Sequence, residues 1–222
     1  MSRRLIFLQL GVIILLAAGL RLTMLGSVPV GLFRDEAEKG YTAFELWHTQ
    51  RHAEFVGGAI EVTRPFPFFV EAGGVQTSAI YQYLSAPFVG LFGLNVVTTR
   101  LVAALAGIAL VPLVFGLVWL LNSGAHTRWR VKEPETDVVP EGVTPLAAAA
   151  FLAVSPTHVV FSRWAQQGVT VPVLLCAGVM LVLWLPSLAE KHRRAAALVA
   201  GILLGLAFYA YAPARLVVPL IL

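Results

Sequence analysis

In a chain of 222 residues, 58% are hydrophobic and only 13% are charged, a balance that excludes an ordinary soluble domain, where about 25% of residues are charged. The formal net charge of +4 comes from basic residues at the ends of apolar runs and offers no basic face for nucleic acid. The single cysteine, Cys176, lies inside an apolar run, so an internal disulfide is excluded and the thiol reads as packed and inert.

Residues 1–25 begin Met1-Ser2-Arg3-Arg4 and continue into an apolar run that reaches Arg21. The run is longer than the ~7–15 residues of a secretory signal, and no small-residue cleavage site follows. It reads as a retained signal anchor crossing the membrane, with its N-terminus in the cytoplasm. Residues 26–97 then form one long outer loop holding seven acids against four bases. Loops of this length are uncommon unless functional. Within it, Ala37, Tyr41, Phe44 and His48 recur at helical spacing, predicting a helix over 35–48. Gly57-Gly58 and Gly73-Gly74 punctuate the middle. Arg64-Pro65-Phe66-Pro67-Phe68-Phe69 reads as an extended segment against lipid or protein. Residues 78–93 are too short to span and polar at Tyr81, Gln82, Tyr83 and Ser85, so they read as an interfacial helix.

Four further spans are predicted at 98–121, 143–160, 169–187 and 195–214, joined by cytoplasmic loops at 122–142 and 188–194. Basic residues favour cytoplasmic loops. If 78–93 does not cross, Arg3-Arg4, the Arg128/Arg130/Lys132 group and the Lys191/Arg193/Arg194 group all fall on that side, eight of the sixteen Lys and Arg. If it does cross, both later groups move outside. The whole reads as an all-α polytopic protein of the plasma (inner) membrane. The ending, Leu216 to Leu222, resembles a span cut short, and the expectation is the N-terminal portion of a larger protein.

Chemistry concentrates at the outer ends of the spans. Asp35 opens the first helix of the outer loop, with Glu38 three residues on, and two roles stand open: a helix cap in a capping box, or a catalytic base. Glu36 points to another side of that helix, as a second acid of the site or a solvated charge. Arg163, in Ser155-Pro156-Thr157-His158-Val159-Val160-Phe161-Ser162-Arg163, either snorkels to headgroups or serves a specific anionic site. His158 reads as packed rather than as a metal ligand. Arg100 opens one span and Arg215 closes another beside Tyr209 and Tyr211. Arginines gathered on one face suit a phosphate, because the planar guanidinium donates in pairs.

These segments in this order, from Asp35-Glu36-Ala37 through Tyr81-Gln82-Tyr83-Leu84-Ser85-Ala86-Pro87, Leu91-Phe92-Gly93, Thr99-Arg100-Leu101, Ser155-Pro156 and Phe161-Ser162-Arg163 to Tyr209-Ala210-Tyr211-Ala212-Pro213-Ala214-Arg215, resemble the GT-C membrane glycosyltransferases. The nearest likeness is glycosyltransferase family 39, the group of the protein O-mannosyltransferases and lipid A aminoarabinose transferases. The resemblance implies a GT-C-like set of spans and transfer of a sugar from a polyprenyl-phosphate carrier to a hydroxyl of a lipid, glycan or protein acceptor on the outer side. It makes Asp35 the catalytic base with Glu36 beside it, and Arg163, Arg215 and Arg100 the lipid-phosphate ligands. No cofactor is implied with certainty, although a divalent metal is compatible with the chemistry. Many members carry an acid four or five residues after the arginine matched by Arg163, where this chain has Gln167 and Gly168. The alternatives are a non-enzymatic transporter or flippase piece, and an assembly subunit in which Asp35 only caps a helix.

Overall fold

The computed structural model describes residues 2–56, 59–72, 75–122 and 142–221. The loop predicted at 122–142 lies almost wholly outside them, with its basic group. Among the described residues, four helices are long and apolar enough to cross a membrane. They comprise α1 (Arg3–Leu22), α4 (Val96–Asn122), α7 (Thr170–Trp184, extended at both ends by short 3-10 turns) and α8 (Glu190–Ala210). Between α1 and α4 lie α2 (Arg34–Thr49), two hairpins made of β1 (Arg51–Val56) with β2 (Ala59–Pro65) and β3 (Phe69–Ala72) with β4 (Val75–Ser78), and α3 (Ile80–Phe92). After α4 come α5 (Val143–Val154) and α6 (Pro156–Phe161), and after α8 a last helix, α9 (Ala214–Ile221).

The direction of each helix follows from its contacts. A Cβ on Gly142, just ahead of α5, would meet Ile6 near the start of α1. At the other end, Arg21 Nη1 donates to the Ala153 carbonyl at 3.0 Å. α1 and α5 therefore run parallel, start beside start. α4 runs against both: Val111 and Phe115 pack on Ile6 and Leu10, while Arg100 at its beginning reaches Leu25. α7 follows α4, with Val169 packed beside Val102 and Met180 beside Gly116. α8 returns antiparallel to α7, so that Val171 meets Ala207 and Ala210. The starts of α1, α5 and α8 thus share one end of the bundle, together with Arg3, Arg4, Lys191, Arg193 and Arg194. The hairpins and α2 sit at the other end.

Four sequence expectations change. The outer loop carries strands between its two helices, where the sequence offers only glycine punctuation and an extended segment at 64–69: two hairpins pair antiparallel, Arg51 opposite Pro65 and Phe69 opposite Ser78. Runs such as Ile60-Glu61-Val62-Thr63 favour strand, and a Gly-Gly pair in the sequence separates each pair of strands. The 143–160 span is two helices, because Ser155 is extended ahead of Pro156, which opens α6. The predicted 188–194 loop is instead the first turns of α8, where Lys, Arg and Ala are strong helix formers and Arg193 pairs with Glu190 at 3.0 Å. That helix ends at Ala210 rather than 214, since Tyr211 is extended and Pro213 cannot continue the ladder. Helices form over the segments predicted at 35–48 and 78–93, as α2 and α3.

Candidate active site

The turn from Thr23 to Phe33 joins α1 to α2 and is full of backbone carbonyls that no helix or strand satisfies. Two arginines supply the donors. The Arg100 guanidinium is fully buried. Its Nη1 donates to the carbonyls of Leu25 (3.2 Å) and Pro29 (2.9 Å), and its Nη2 to that of Gly31. Nε and Nη2 also grip both oxygens of Glu36, each at 2.9 Å. Arg163 comes from the opposite side, just after α6. It donates through Nη1 to Leu20 (2.7 Å), through Nη2 to Thr23 (2.8 Å) and through Nε and Nη2 to Val28 (3.2 and 2.9 Å). A third arginine, Arg21, ties the end of α1 to Leu152 and Ala153 and to His158 Nδ1 at 2.7 Å. A guanidinium only donates, so that histidine nitrogen accepts; His158 is a packed partner of an arginine.

Glu36 completes the arrangement. Its Oε1 also accepts from the Ala165 N–H and its Oε2 from the Phe33 N–H, each at 3.0 Å. Burial alone would raise its pKa. The hydrogen bonds from Arg100, Ala165 and Phe33, with the charge of Arg100, outweigh that and hold the carboxyl below its usual range. The bond from Phe33 is half of a capping box: Phe33 is the N-cap residue, it has no side-chain acceptor to reciprocate, and Glu36 reaches back to its N–H. The expected box of Asp35 with Glu38 does not form, because α2 begins at Arg34, two residues ahead of the start that box requires, and Phe33 is the N-cap.

This leaves Asp35 half-buried in the first turn of α2, with no hydrogen bond or ion pair to its carboxylate among the described residues. Lys39, one turn on and nearly buried, donates Nζ to the Asp35 carbonyl at 3.3 Å. Burial lowers the lysine pKa, and the charges of Asp35, Glu36 and Glu38 oppose that. Phe33 stacks on Trp164 at 6.1 Å, joining the start of α2 to the segment after α6.

The predicted residues are thus divided. Asp35, Glu36, Arg100 and Arg163 gather around one turn, but the last three are spent on internal bonds. Arg215 stands apart on α9, exposed and without a side-chain bond among the described residues. Lys39 and Trp164 were not singled out from the sequence; the i, i+4 spacing of Asp35 and Lys39 was the available signal. No three His, Cys, Asp or Glu side chains converge to hold a metal among the described residues. No family model, curated protein or solved structure matches the chain.

Below the site lies a cavity of about 520 Å³, walled by α3, α4, α7 and α8 through side chains including Tyr83, Phe88, Val102, Leu105 and Leu174. Val102 connects the two regions: it lines the cavity and packs with Ala165, whose N–H is held by Glu36.

Proposed function

We propose that this chain carries the catalytic base of a membrane glycosyltransferase that moves a sugar from a polyprenyl-phosphate carrier to an acceptor hydroxyl at the membrane surface. The observation that carries the reading is the division of labour in the first turn of α2. Glu36 is consumed in structure, while its neighbour Asp35 has free lone pairs on a rigidly held backbone. Such a carboxylate suits removal of a proton from an attacking hydroxyl. As the hydroxyl oxygen bonds the anomeric carbon, the bond to the carrier phosphate breaks and that phosphate leaves with the electron pair. Arg215 is the remaining candidate to meet it, since Arg100 and Arg163 have their donors engaged. The cavity beneath the site is compatible with the carrier's apolar tail.

The test is transfer of label from a panel of polyprenyl-phosphate hexoses and pentoses in membranes containing the protein. Exchange of Asp35 for Asn lowers transfer by about 100-fold or more, the scale of a lost general base, with the protein still folded. Undiminished transfer by that variant overturns the role of Asp35.

A further inference from the structure

We infer that the Pro65–Phe69 tip is a membrane-surface anchor that inserts its phenylalanines into the lipid leaflet at the C-terminal end of α8. Phe68 is 78% exposed and Phe66 61%, an unusual state for two rings in one tight segment. Their exposure does not come from a loose backbone. The Phe66 N–H donates to the Gln50 carbonyl at 2.9 Å, the Phe68 carbonyl accepts from the Ala79 N–H at 3.0 Å, and the Pro67 carbonyl accepts from the Tyr83 hydroxyl at 3.0 Å. Phe66 has a φ of +46°, a left-handed conformation that costs energy for a residue with a Cβ. The segment is therefore held, at a cost, in a shape that presents its rings outward.

Its height relative to the membrane is fixed by α8. The Ser78 hydroxyl donates to the Ala210 carbonyl at 2.6 Å, the Ala79 N–H donates to the Tyr209 hydroxyl at 3.2 Å, and Phe69 meets the Tyr209 ring edge-on at 5.2 Å. Ala210 is the last residue of a membrane-spanning helix, so the tip stands where that span leaves the hydrocarbon. The backbone suits the same place. Pro65 and Pro67 have no N–H and that of Phe66 is already bonded, so insertion leaves few donors to strip of water. No charged residue lies between Pro65 and Val70. Between the rings is a cup of about 400 Å³ that a lipid acyl segment can fill. The anchor stands independently of the transferase reading.

The test uses the full chain with Cys176→Ser and Phe68→Cys, labelled at the new thiol with an environment-sensitive fluorophore and reconstituted into phosphatidylcholine–phosphatidylglycerol vesicles. Gel filtration before reconstitution establishes that the variant is folded. Lipids carrying a nitroxide near the headgroup quench the label several-fold more than aqueous iodide does. Quenching by iodide instead overturns the anchor, because the tip then faces water. Protection from both quenchers also overturns it, since the tip is then covered by protein. A second label at Phe66→Cys guards against a local effect of the first substitution and is expected to behave alike.

Discussion

Asp35 and Glu36 are neighbours in sequence, yet they lie about 100° apart around a helix, and that angle gives them different fates. Glu36 faces Arg100 and is buried with it; Asp35 is only half-buried, and its carboxylate has no hydrogen bond or ion pair among the described residues. Removing one partner of a buried, hydrogen-bonded pair leaves a stranded charge, at a cost of about 3–5 kcal/mol. Arg100→Ala is therefore expected to lower Tm in detergent steeply, whereas Asp35→Asn leaves Tm near that of the parent. The pH dependence carries the same signature. A carboxyl held below its usual range stabilises the fold above the ordinary carboxylate range and loses that contribution as pH falls through the depressed value. Tm of the parent should decline from about pH 5 downward, while Glu36→Gln starts lower at neutral pH and shows a shallower acid slope. A Glu36→Gln variant with the parent's acid profile would remove Glu36 as the group responsible. Sequence periodicity placed the two acids on one helix, but their division of roles was hidden, because the partners that decide it, Arg100 and Ala165, lie 64 and 129 residues away.

At the scale of elements, close helix contact depends on missing side chains. A Cβ on Gly107 of α4 would collide with the Ser162 side chain and lie 3.0 Å from Arg21 Nε, in the layer where α1, α4 and the end of α6 meet. Gly107→Ala forces these apart and should destabilise the protein by about 1–3 kcal/mol, the range of overpacking. Gly201 on α8 has nothing within 4 Å of its would-be Cβ, so Gly201→Ala should stabilise by roughly 0.5–1 kcal/mol through helix propensity. Equal shifts in Tm for the two variants would mean that packing around Gly107 is not tight. Elements announced by long apolar runs, such as α1 and α4, were legible in the chain. Those set by turn chemistry were less so. The Ser155-Pro156 break could be read as the end of a span but not as a helix restarting, and the glycine pairs marked turns without announcing the strands around them.

For the whole molecule, the parallel and antiparallel contacts fix which ends lie together. The described basic clusters, on α1 and α8, share one end, and the group at 128–132 falls in sequence between the end of α4 and the start of α5, which lie at that same end. Basic segments are retained in the cytoplasm, so the end bearing α2 and the hairpins is expected outside. The weak link is α5, whose 12 residues cover only about 18 Å at 1.5 Å per residue, against a hydrocarbon core of about 30 Å. α5 completes a crossing only together with α6, and Arg21 splices the break by binding the carbonyls of Leu152 and Ala153 and the ring of His158. Three crossings then separate residue 51 from residue 192. In a Cys176→Ser background, a membrane-impermeant maleimide should label Arg51→Cys in intact cells and His192→Cys only after permeabilisation. If both label from outside, α5 with α6 turns back within the membrane. The Arg21 contacts would then close a re-entrant hairpin rather than a span, and the charge rule would no longer place the candidate site outside.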